Sequence, residues 1–129
     1  MRNRAAGFTL IELLIVVVIV GLLATIAVPK FAATKDKAKL ASVRSDLRNL
    51  MTAEEAYFAD NSVYANFAQI QAVTNFTLSG QNVPTITSPG TSGYKATVSN
   101  ATITTGITKC SVTNGLGSGL GVDGVIVCS

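Results

Sequence analysis

Gly7 to Val28 read GFTLIELLIVVVIVGLLATIAV, an apolar run broken by a single charge, Glu12. As a helix, Phe8 to Val28 would be roughly 31 Å long at about 1.5 Å per residue, enough to cross the hydrocarbon core of a bilayer. Arg2 and Arg4 precede the run with no acid among them, so the bias toward cytoplasmic cations predicts an amino terminus inside and the remainder exported. Glu12 is the anomaly. A carboxylate one turn into an apolar helix costs on the order of 2.5–3.5 kcal/mol on insertion scales unless it is paired or neutralised, which marks it as functional. The alternative is a shallow residue that reaches the headgroups and does nothing else.

Val28-Pro29-Lys30 leads directly into a helical pattern with no alanine-type cleavage site, so the apolar segment is expected to be retained. The short basic stretch MRNRAAG ending in glycine, followed by Phe8-Thr9-Leu10-Ile11-Glu12, closely resembles the leader and amino-terminal signature of type IV pilins and pseudopilins. The resemblance is specific from Gly7 to about Pro29 and extends loosely to Asn61. It implies cleavage between Gly7 and Phe8 by a membrane-embedded prepilin peptidase, with methylation of the new amino terminus on Phe8. It further implies that Glu12 of one subunit meets the Phe8 amine of another during assembly. Such a pair gains attraction in a low-dielectric bundle but loses much of it to desolvation, so it selects register more than it adds stability. Gly21 and Pro29 are the weak points of the helix, since glycine adds backbone entropy and proline removes a hydrogen bond. A kink near Pro29 is expected. The family's filaments unwind between the matching positions, which implies an extensible Gly21–Pro29 segment.

The expected organisation is a leader over residues 1–7, a membrane and filament-core helix over 8–29, its amphipathic continuation over 30–60, and a globular head over 61–129. Leu40, Val43, Leu47, Leu50 and Tyr57 recur at helical spacing among Lys37, Lys39, Arg44, Asp46 and Arg48. Such a stripe needs a cover, and a sheet made from the rest of the chain is the most economical one. The fold class is therefore α+β, a long amino-terminal helix packed on a small antiparallel sheet, as in pilins. Asp60-Asn61-Ser62 is expected to end the helix. An irregular connection with a short second helix follows over 64–73, and Gln81 to Gly93 reads as loop. Strands are expected at Tyr94–Val98, Ile107–Val112 and Val125–Cys128, with a further candidate at Ala101–Thr105. Asn114-Gly115 and Asp123-Gly124 are turn signals for a meander.

Cys110 and Cys128 fall in the exported part, where thiols are usually oxidised, and we read them as one disulfide, two free buried thiols being the alternative. Closing the 17 intervening residues contributes roughly 3 kcal/mol in the chain-entropy account. No metal site is expected, because two cysteines without histidine do not complete a tetrahedral set. Asp123 is the sole acid after Asp60, which argues against a calcium loop. The chain has no histidine, and Glu54 and Glu55 point about 100° apart, so neither a general base nor a carboxylate pair supports an enzyme. No cofactor is expected. The 115–121 run GLGSGLG lacks the lysine and threonine of a phosphate loop.

Formal charge is +3, but two of the ten cations lie in the leader, leaving +1 on the cleaved chain, too little to argue for a nucleic-acid site. Lys30, Lys35, Lys37 and Lys39 cluster beyond the span, while Glu54, Glu55 and Asp60 come later. A staggered assembly would bring the two bands together, the alternative being a solvated helix with a basic end. Asn75-Phe76-Thr77 and Asn100-Ala101-Thr102 match the glycosylation acceptor pattern, and both are read as exposed polar positions. The aromatic residues are read as core rather than an electron path. The resemblance implies a filament subunit: most directly a major pilin of a surface pilus for adhesion, twitching or DNA uptake, otherwise a type II secretion pseudopilin or a minor pilin. The implied partners are identical subunits in a helical filament, prepilin peptidase, the inner membrane before assembly and the pilus assembly machinery. The implied locations are the inner membrane, then the extracellular pilus. The paired cysteines favour the pilin.

Overall fold

The computed structural model describes residues 7–115 and 122–129. Helix α1 runs Leu10–Asn61, followed by α2 (Phe67–Thr74) and strands β1 (Val83–Gly90), β2 (Gly93–Ser99), β3 (Lys109–Asn114) and β4 (Val127–Cys128). The chain divides into two compact units, Met1–Lys35 and Asp36–Ser129.

The first unit contains the apolar part of α1. Its helix is unbroken through Gly21 and Pro29. Proline has no N–H to give the carbonyl four residues earlier, so the carbonyl of Thr25 lacks its usual helical donor. The Thr25 hydroxyl donates to the carbonyl of Leu22, at 2.7 Å, and leaves its own carbonyl without that donor.

In the second unit the sheet is an antiparallel meander in the order β1-β2-β3-β4. Its core joins Val43, Leu47, Leu50 and Ala53 of α1 to Ala65, to Ile70 of α2, to Tyr94, Ala96 and Val98 of β2, and to Cys110 and Val112 of β3. Alternate residues of β2 face inward, the period of a half-buried strand. The expected helical stripe supplies the facing layer, with Leu40 and Tyr57 at its margins. At one end of the sheet the start of β2 lies tightly against the end of β3. A side chain on Gly93 would collide with the carbonyl of Asn114, and one on Gly115 with the carbonyl of Ser92. Both glycines also hold positive φ, 139° and 73°, so no other residue fits either place well.

Three expectations are corrected. The 81–93 segment is not all loop: Val83–Gly90 forms β1, paired with β2 from Val83↔Ser99 to Gly90↔Gly93. Pro84 and Pro89 masked it. The strand lies at the sheet edge, where a missing donor on the open side breaks no ladder bond, and its register shifts between Thr87 and Gly90. The candidate strand at 101–105 is instead a turn, and β3 begins at Lys109 rather than Ile107. The connection carries α2, opened by a capping box in which Asn66 and Gln69 exchange side-chain and backbone hydrogen bonds. The glycine-rich run falls largely at 116–121, outside the described residues.

Candidate assembly site

At the amino end, Thr9 precedes the first turn of α1. Its N–H and hydroxyl both donate to Glu12 Oε2, at 2.8 and 2.7 Å, while the Glu12 N–H donates to Thr9 Oγ1 at 3.3 Å. This is a reciprocal cap of a threonine and a glutamate three residues later. Thr-x-x-Glu is a readable capping signal in the sequence, separate from the charge that singles out Glu12. The cap fixes the carboxylate over the helix start and leaves Oε1 with no protein donor among the described residues.

Beyond it the helix has no cover of its own. Phe8 is 90% exposed, and none of the large apolar side chains from there to Phe31 is less than half exposed. By length and composition the helix is long and apolar enough to cross a membrane. Burying such a surface stabilises by about 25 cal/mol per Å², so this unit gains its free energy from surroundings other than its own fold. Gly21 has open space around it.

The head is held to its part of α1 by three inward carboxylates. Asp36 Oδ2 accepts from the N–H and hydroxyl groups of both Thr104 and Thr105, at 2.8–3.1 Å. These donors, the Thr105 hydroxyl foremost, hold its carboxyl down to about 2 against the opposing effect of burial. Lys39 pairs with Asp36 at 3.4 Å and donates to the carbonyl of Thr102. Asp46 accepts from Ser79 N–H and hydroxyl and from the Asn82 amide, at 2.6–2.9 Å, and Asn82 accepts in turn from Asn100 at 2.7 Å. Asn100 is buried, which corrects its reading as an exposed polar position, whereas Asn75 is exposed.

Glu54 is fully buried; its Oε2 accepts from the Ala65 N–H at 3.0 Å, while Oε1 has no partner among the described residues. Burial pushes its carboxyl up to about 7, the Ala65 bond opposing and the Glu55 charge adding. The Tyr94 hydroxyl is likewise buried without a partner. The sequence held a signal for two of the three: Asp36, Leu40, Val43, Leu47, Leu50, Glu54 and Tyr57 follow one another at steps of four and three, so both acids stand in the apolar stripe.

Cys110 and Cys128 are disulfide-bonded as register partners of β3 and β4, and Arg44 Nε lies 3.2 Å from Cys128 Sγ. Among the described residues no three acidic, histidine or cysteine side chains are placed to hold a metal.

Residues 2–28 match the prokaryotic N-terminal methylation motif. The chain carries a pilin-type amino terminus. It is similar to the type IV major pilin protein PilA of Myxococcus xanthus, 45% identical over 67 residues, which is 52% of this chain and 30% of that protein. It is also similar to type II secretion system core protein G. The Pseudomonas aeruginosa protein is 38% identical over 68 residues, 53% of this chain and 48% of its own length. The Klebsiella pneumoniae protein is 42% identical over 74 residues, 57% and 53%. The chain thus spans about half or less of the curated relatives it matches. Its pilin-type helix is followed by a four-stranded head, an α+β arrangement of the pilin kind.

Proposed function

We propose that the chain is the structural subunit of a type IV pilus, a major pilin that polymerises through its apolar helix. The observation that carries this reading is the helix itself: from Phe8 to Phe31 it exposes its apolar side chains on every face, a surface suited first to lipid and then to a bundle of identical helices. Prepilin peptidase cleaves between Gly7 and Phe8 and methylates Phe8. The new ammonium group of Phe8 donates to Glu12 of a neighbouring copy, whose Oε1 is left available by the Thr9 cap. The subunit waits in the inner membrane, and the assembly machinery draws it into an extracellular filament for adhesion, twitching or DNA uptake. Gly21 and Pro29 are where the helix unwinds under that packing. No chemistry is asked of the protein, in keeping with relatives named as pilin and secretion-system core proteins.

A second reading, a pseudopilin of a type II secretion system, is favoured by the several relatives named core protein G. The disulfide at the carboxyl end weighs toward the pilin. The experiment that divides them is to shear native cells and examine the detached material by electron microscopy and mass spectrometry. A thin filament built mainly of this chain supports the pilin. Processed chain that stays with the cells and never enters a sheared filament supports the pseudopilin or a minor pilin.

A further inference from the structure

Three of the chain's seven carboxylates, Asp36, Asp46 and Glu54, are turned into the head, so its accessible surface is more basic than the sequence total. The cations stay outside. Lys37, Arg44 and Arg48 are exposed and line one groove floored by Leu40 and Ala41. Steps of seven and four residues keep the three within about 40° of one another on the helix. Among the described residues none of them has an acid within ion-pair reach, the one such pair being Lys39 with Asp36.

The same face carries its own complement. Eighteen residues are five full turns, so Glu55 lies directly above Lys37 along α1. Glu55 is exposed and is fixed by the Tyr64 hydroxyl at 3.2 Å and the Asn114 amide at 2.6 Å. Asp123, also exposed, accepts from the N–H of Gly115 at 3.1 Å, one residue beyond the Asn114 that holds Glu55. One helix face thus bears three unpaired cations below and an acidic spot above.

We propose that this face docks on the same face of a second, parallel copy displaced along the helix axis, with Glu55 and Asp123 of one copy against the Lys37–Arg44–Arg48 groove of the other. A displacement of roughly 16 Å, eleven residues of helix, sets Glu55 opposite Arg44. With no displacement cations face cations, so the pattern rejects that register as well as selecting the staggered one. An anionic small molecule would explain the groove and leave the acidic spot unused. A second copy uses both. The inference rests on the filament reading, since that supplies parallel copies.

The test is zero-length carbodiimide cross-linking of the full chain in native membranes and in sheared filaments, read by peptide mass spectrometry, on the unmodified chain and on Arg44→Lys. Glu55 is about 16 Å from position 44 and about 27 Å from Lys37 on one helix, so a bond between them joins two copies. The expected links join Glu55 to position 44 in the variant, with the unmodified chain, whose Arg44 does not couple to a carboxylate, as the control. Variant filaments without these links overturn the docking and leave the filament reading intact. Links in membranes that yield no filaments keep the docking and end the filament reading; neither links nor filaments end both. In parallel, Lys37→Glu with Arg48→Glu lowers filament yield at least ten-fold, and adding Glu55→Lys with Asp123→Lys restores it. If the first pair leaves the yield unchanged and instead releases the chain from anionic phospholipid vesicles, the groove is a lipid site and the proposal is wrong.

Discussion

Glu54 occupies a position that the helical pattern reserves for an apolar residue, with one carboxylate oxygen on the Ala65 N–H and the other on nothing among the described residues. Its carboxyl therefore holds its proton to about 7, above its ordinary value of 4.5. A raised acid contributes stability below the unfolded value and loses it as pH climbs through the folded one. Unfolding of the detergent-solubilised full chain by denaturant should show stability falling by up to about 3 kcal/mol between pH 4.5 and 7. Glu54→Gln should flatten that decline, because the amide keeps the acceptor for Ala65 and has no proton to lose. Asp36 works in the opposite sense. Its carboxyl is held to about 2 by the Thr104 and Thr105 donors, so its contribution is complete above 3.8 and fades as pH falls through 2. Asp36→Asn should destabilise the head at pH 6 and remove the part of the acid-side decline due to this residue, measured by the same titration. At the amino end, Glu12→Ala removes both the Thr9 cap and the proposed partner of the Phe8 amine. Filament yield should collapse while membrane level and processing stay unchanged.

Among the elements, α1 and three strands were legible because their periods were intact: 3.6 in Val43, Leu47 and Leu50, and 2 in Tyr94, Ala96 and Val98. β1 was not, since Pro84 and Pro89 read as loop and only an edge position makes them tolerable in a strand. The inward acids were missed for a related reason. A charge inside an apolar stripe looks like a gap until the donors from Ala65, Thr104 and Thr105, remote in sequence, are in place. Gly7, Phe8 and Glu12 fall inside the matched methylation motif, their processing and assembly roles being proposals, whereas Thr9 entered only with the geometry of the first turn. Leu47, fully buried between helix and sheet, should cost about 2–5 kcal/mol when cut to alanine. Cys128→Ser frees β4, a strand of two residues, and should lower the denaturation free energy by about 3 kcal/mol.

At the scale of the molecule, the two compact units meet different demands. The head, Asp36–Ser129, has its own core, an antiparallel meander and internally satisfied carboxylates at Asp36 and Asp46. The first unit leaves its apolar helix uncovered, which is stable only in lipid or among other such helices. On the proposed reading, a chain so divided is a polymer subunit stored in a membrane and withdrawn from it, with processing at Gly7 releasing the amine proposed to meet Glu12. The most direct test is the intact mass of the chain recovered from sheared native filaments. The account predicts a polypeptide beginning at methylated Phe8, lighter by two hydrogens for the Cys110–Cys128 bond, as the main component of the filament. A chain that still carries Met1 to Gly7 in its mature location would contradict it.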